Sequence, residues 1–153
     1  MRAPEARAEV MRQLAAAPER IFAAFASADL VARWLSPAPE IALEVLAYDF
    51  RLNGRYRFAY RMPTGEVMHV HGAFREIVPP GQLVFSWIIE PPDEHAGIDS
   101  EVRVSIDPAP GGGALLKIVH ERLDRPGATE RHTAGWMGAL HRLESLIRTG
   151  ALG

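Results

Sequence analysis

From Ile41 to Arg122 the apolar residues recur at every second position, and beyond Pro126 the period changes to that of a helix. This switch constrains the fold more than any other feature. The stretch "RYRFAYRM" shows the first period most plainly: Tyr56, Phe58 and Tyr60 alternate with Arg55, Arg57 and Arg61. A strand patterned this way has one apolar face and one solvated face. Around it lie "IALEVLAYDF", "EVMHVHGAFREIV", "LVFSWIIE", "SEVRVSI" and "ALLKIVHERL", separated by "RLNG", "PTG", "PPGQ", "PPDEHAGID" and "DPAPGGG". The connections are hairpin-style, so the sheet is expected to be antiparallel.

Residues 127–149 read as one long helix. At roughly 100° per residue, His132, Gly135, Trp136, Ala139, Leu140, Leu143, Leu146 and Ile147 share an arc of about 140°. Arg131, Met137, Gly138, His141, Arg142, Glu144, Ser145 and Arg148 fall outside it. Two glycines stand inside this helix, each costing about 1 kcal/mol relative to alanine. Gly135 sits at the edge of the apolar arc, where a missing side chain lets the sheet approach or leaves room for a ligand, so Gly135→Ala is expected to crowd the interior and cost stability or binding. Gly138 lies about 130° from the arc's centre, so Gly138→Ala is expected to stabilise if the back of the helix is free.

Ahead of the sheet, "RAEVMRQL" alternates loosely and reads as a short strand. In "APERIFAAFASADLVARWLSP", Pro18 suits a first helical turn and Ile21 with Phe25 forms an i, i+4 pair. Ser27 or Asp29 can cap a second short helix carrying Leu30 and Trp34, and Pro37 and Pro39 stop it. The expected architecture is α+β: a strand, two short helices, about six antiparallel strands and one long helix lying across them.

The 153 residues suit one domain, with residues 1–6 as a disordered tail. The chain has no cysteine, which removes disulfides, thiol nucleophiles and thiolate metal sites together. A net charge of −2 gives no electrostatic case for nucleic acid or an anionic membrane. Glu5, Glu9 and Glu19 interrupt any signal-peptide core, and no segment approaches the roughly 20 apolar residues of a membrane span. A cytoplasmic protein is the expectation.

Four stretches carry a family resemblance. "APERIFAAF…LVARWLSP" resembles an N-terminal helix followed by Arg-Trp and a proline. "DFRLNGRYRF" is similar to an Asp-x-Arg-x-Gly-Gly hairpin with its following strand. "FREIVPPGQLVFSW" resembles a Glu-Ile-x-Pro-Pro, Leu-x-Phe-x-Trp hairpin, and "HERL…GWMGALHRLESLI" a last strand with a Gly-Trp-led helix. Together they resemble the helix-grip superfamily of START lipid-binding domains, polyketide cyclases and birch-pollen-allergen-type proteins. Within it they are similar to the bacterial branch related to the C-terminal domain of the activator of heat-shock protein 90 ATPase. Two positions depart from the pattern. Leu35 replaces the aromatic that often follows the tryptophan, and Asn53 replaces the first glycine of the pair, where a positive φ is still tolerated.

The resemblance implies a curved antiparallel sheet of six to seven strands wrapped around the C-terminal helix, with a ligand cavity between them. Strand alternation then selects its candidate walls. Met68, Val70, Gly72 and Phe74 face inward, as do Leu83, Phe85 and Trp87; Val102, Val104 and Ile106; and Leu116, Ile118 and His120. The candidate ligand-binding residues are Trp34, Tyr56, Phe58, Met68, Val70, Phe85, Trp87, Val104, Ile118, His120, His132 and Trp136. Each aromatic among them is equally well read as packed core.

His120 is the candidate catalytic residue. It reads either as a polar anchor or acid/base at the cavity end, or as a core histidine satisfied by hydrogen bonds. His69 and His71 share a strand face at a metal-compatible spacing, yet their face is the solvated one and no third ligand is assigned, so no metal is expected. There is no Gly-x-Ser-x-Gly elbow, phosphate loop or dinucleotide fingerprint, and no cofactor is expected.

Three functions follow. The first is binding of a small hydrophobic or amphipathic molecule, such as a lipid, without turnover. The second is a cyclase- or hydrolase-type enzyme using His120, with His132 or Tyr56. The third, implied only by the resemblance, is a chaperone-linked interaction module with a role in stress response. "WIIEPPDEHAG" offers a segment for a homodimer contact.

Overall fold

A computed structural model describes residues 7–152, so the expectation for residues 1–6 lies outside the described residues. The order is β1 (Ala8–Leu14), α1 (Pro18–Ala26), α2 (Ala28–Trp34), β2 (Ala42–Tyr48), β3 (Arg55–Arg61), β4 (Val67–Val78), β5 (Gln82–Ile89), β6 (Ser100–Pro108), β7 (Ala114–Glu121) and α3 (Ala128–Thr149). Seven strands form one antiparallel sheet in the order β1-β7-β6-β5-β4-β3-β2. The fold is α+β, a helix-grip arrangement in which the sheet wraps α3.

Local chemistry explains the elements. Pro18 opens α1, where its missing N–H is no loss. Ser27 caps α2, its hydroxyl accepting from the Leu30 N–H. These two short helices carry the chain from β1, at one edge of the sheet, to β2 at the other. The turn after β2 needs a left-handed residue, and Asn53 supplies it with φ 65°.

In β6 and β7 the alternation is unbroken: Ser100, Val102, Val104 and Ile106 are buried, as are Ala114, Leu116, Ile118 and His120. In β4 the register with β5 shifts between Phe74 and Glu76. Arg75 is the extra residue, and Ile77, opposite Leu83, returns to the inner face.

The α3 arc carries its predicted load. His132, Trp136, Ala139, Leu140, Leu143 and Ile147 are buried. They join Trp34, Phe25 and the inner faces of β3 to β7 in one core, where each fully buried large side chain contributes about 1.5–3 kcal/mol.

The outer face of α3 is not free. Arg142 donates to the carbonyls of Ala38 (3.4 Å) and Arg33 (3.1 Å), drawing the segment after α2 over the helix. A β-carbon on Gly138 would lie 1.9 Å from the Pro37 carbonyl oxygen, whereas one on Gly135 would meet only Pro37 Cβ at 3.7 Å. The expectation that Gly138 backs onto open space is thereby reversed. Gly138 lets the 35–41 segment pack against helix backbone.

Candidate functional site

Between α3, the 35–41 segment and the ends of β3 to β5 lies an open cavity of about 260 Å³. From α3 it is lined by Arg131, His132, Gly135, Trp136 and Ala139; from the segment after α2 by Leu35, Ser36, Pro37 and Ile41. The sheet adds Tyr60, Met62, Met68, Trp87 and Ile89. The walls are thus largely apolar and aromatic, with few polar atoms, the usual chemistry of a small-molecule site.

Most of those polar atoms are already engaged. The Ser36 hydroxyl meets the carbonyls of Ile41 (2.5 Å) and Ala38 (3.1 Å). Tyr60 donates to the Leu35 carbonyl at 3.0 Å, and burial raises its pKa, so it stays protonated. Arg131 makes a bidentate pair with Asp93 (2.7 and 2.8 Å) and contacts Met68 Sδ. The Arg131 guanidinium holds the Asp93 carboxyl down to about 2.

Two groups in the wall are less committed. His132 donates from Nδ1 to the Ala128 carbonyl (2.7 Å). Burial lowers its pKa, so the ring is neutral and Nε2 is left as an acceptor without a partner among the described residues. Trp87 Nε1 is buried and likewise has no partner among them. An indole N–H is donor only, and an unpaired buried donor is costly.

His120 lies behind this wall rather than in it. Its Nδ1 accepts from Trp136 Nε1–H at 3.0 Å, since the indole can only donate. Its Nε2 therefore carries the proton and meets Ser100 Oγ at 2.8 Å. The Ser100 hydroxyl in turn donates to the Trp87 carbonyl at 2.5 Å. Burial, then neighbouring His132, pushes the His120 pKa well below its ordinary value. Both nitrogens are occupied and the ring is fully buried.

The structure brings Met68, Trp87, His132 and Trp136 together in the cavity wall. The other sequence candidates lie elsewhere. Trp34 donates to the Ala24 carbonyl and packs edge-on against Phe25. Tyr56 donates to the Ser86 carbonyl, and with Phe58 and Phe85 it surrounds a separate void of about 10 Å³. Val70, Val104 and Ile118 are fully buried in the core. His71 faces outward to Glu90, which also pairs with Arg57.

Leu35, singled out in the sequence as a departure from the family pattern, does line the cavity, whereas Ile41, Tyr60, Ile89, Met62, Arg131 and Ser100 escaped the sequence reading. Ser100 was legible, because it precedes Val102 by two and is the one polar residue on the inward parity of β6. Arg131 was not, because its partner Asp93 is distant in sequence.

Residues 15–148 match the family described as Activator of Hsp90 ATPase homolog 1-like protein. Among solved structures, protein CV1439 of Chromobacterium violaceum is similar at 27% identity and a TM-score of 0.82, over 93% of this chain and 96% of that one. The AHSA1 protein SPO3351 of Silicibacter pomeroyi matches with a TM-score of 0.82 at 23% identity, covering 95% and 99% of the two chains. DynU16, from the dynemicin biosynthetic locus, shares the fold at 19% identity and a TM-score of 0.73, over 96% of this chain and 49% of its own. No curated protein matches the sequence.

Proposed function

The chain belongs to the Activator of Hsp90 ATPase homolog 1-like family, and on that premise we propose that it binds a small amphipathic molecule, without turnover, in the cavity between α3 and the sheet. The observation that carries this reading is a 260 Å³ space walled by Trp87, Trp136, Tyr60 and Met68, with the uncommitted His132 Nε2 among its wall residues. An apolar cavity of about 150 Å³ accepts benzene, so this one suits a molecule of roughly ten carbons or two rings. Arg131 and Asp93 neutralise each other at the wall, which favours an uncharged head group.

The enzyme reading rested on His120, whose nitrogens are both spent on Ser100 and Trp136. Proton exchange with a bound molecule would require breaking that chain. For an interaction module, the exposed large apolar residues Met11, Leu46, Leu52, Val78 and Met137 fall on five different segments. Ligand binding needs neither rearrangement nor a further surface.

Native mass spectrometry tests the reading on protein purified from its own host. A one-to-one adduct lost on denaturation is expected, or, for empty protein, saturable uptake from a panel of small lipophiles. Empty protein that binds none of them would overturn it.

A further inference from the structure

Two spaces lie along the inner face of the sheet, and Leu35 is the one residue that belongs to the walls of both. The outer space is the 260 Å³ cavity. The inner one, about 10 Å³, is ringed by Phe25, Tyr48, Tyr56, Phe58, Phe74 and Phe85. At that size it holds at most one water molecule. The backbone of Leu35 is pinned at both ends: its N–H donates to the Val31 carbonyl and its own carbonyl accepts from Tyr60. Its side chain is buried.

The chemistry of the two spaces differs. In the inner one the Tyr48 hydroxyl is bonded to the Phe25 carbonyl and the Tyr56 hydroxyl to the Ser86 carbonyl, so neither has a proton to offer a guest. The outer wall includes His132, whose Nε2 has no partner among the described residues. A guest hydroxyl can donate to that nitrogen.

We propose that Leu35 is a specificity-determining partition: it sets the length of hydrocarbon the cavity accepts, with the ligand's uncharged hydroxyl head toward His132 and its tail toward Leu35. The proposal rests on the ligand-binding reading above and adds a direction and a length limit to it. Removing the Leu35 side chain joins the aromatic void to the cavity and lets a longer tail enter. The ligand class is a straight-chain aliphatic alcohol or its close analogue.

Titration with n-alkan-1-ols of increasing length tests this on the full chain. In the wild type, affinity should rise about fourfold per methylene and then stop at a cut-off. Leu35→Ala should move the cut-off roughly two to three methylenes later, matching the carbons removed. Leu35→Val should move it less, and Leu35→Phe should move it earlier, which keeps the test intact if the alanine variant does not fold. His132→Phe, which keeps the ring and removes the nitrogen, should weaken all lengths several-fold with the cut-off unchanged. An unchanged cut-off in the folded Leu35 variants, with short alcohols still bound, overturns the partition and leaves the cavity reading standing. No binding of any alcohol by any variant overturns both.

Discussion

At Gly138 the helix backbone and the Pro37 carbonyl are so close that an added methyl would sit 1.9 Å from the oxygen. Overpacking of this kind costs about 1–3 kcal/mol, against about 1 kcal/mol regained from helix propensity. Gly138→Ala should therefore lower stability by up to about 2 kcal/mol, despite lying on the side of α3 that its sequence marks as polar. For Gly135→Ala the expected crowding of the interior is not met: the added carbon finds only an ordinary contact, so stability should be unchanged or rise by up to about 1 kcal/mol. Urea unfolding midpoints separate the two; a more stable Gly138→Ala would mean the 35–41 segment does not rest on the helix. The histidines make a second prediction. Burial depresses both His120 and His132, so the unfolded chain takes up protons first as pH falls through about 6.5. Stability is fully present above that pH and declines below it. Asp93 and Glu90, held down to about 2, add their own loss only as pH falls through the ordinary carboxyl range near 4. Between pH 6.5 and 5 the loss therefore reports the histidines, and His120→Gln should reduce it. An equal loss in that variant would place its origin elsewhere.

Among the elements, strand alternation and the α3 arc were legible because each is a local periodicity with one face buried. The inward parity of β4 to β7 follows directly from the residues, except where the extra residue at Arg75 shifts the register. What could not be read was how loops return to the core. The 35–41 segment has the composition of a helix stop, yet it covers α3 and supplies four cavity residues, because Arg142 donates to carbonyls more than a hundred residues earlier. The β5–β6 loop is similar. Arg131 grips Asp93 while Arg125 donates to the carbonyls of Glu94 (2.7 Å) and Ala96 (3.0 Å), so α3 and the residues before it hold this loop at three points. Arg131→Gln should speed amide exchange in residues 93–97 while lowering global stability by no more than about 1 kcal/mol, since the pair is partly solvent-screened. Unchanged exchange would show the loop to be held without the ion pair.

For the whole molecule, four motifs in order sufficed to place the chain in its fold, and residues 15–148 place it in its family. No helix among the described residues is long and apolar enough to cross a membrane. The candidate site was half legible for a physical reason. Parity says which residues point inward, but where the inner face is packed and where it stays open depends on the 35–41 segment, a tertiary fact. Tyr56 and Phe58 fill space that Leu35 closes off, while Trp87 and Trp136 border space that Gly135 and Ala139 leave open. The proposed function places a small amphipathic guest in this opening. The decisive experiment is calorimetric titration of octan-1-ol into the wild type and into Ala139→Leu, which places three more carbons in the cavity. The account predicts saturable one-to-one binding with a negative heat-capacity change in the wild type, reduced at least tenfold in a folded Ala139→Leu. Equal binding by the two proteins, or none by the wild type, would contradict it.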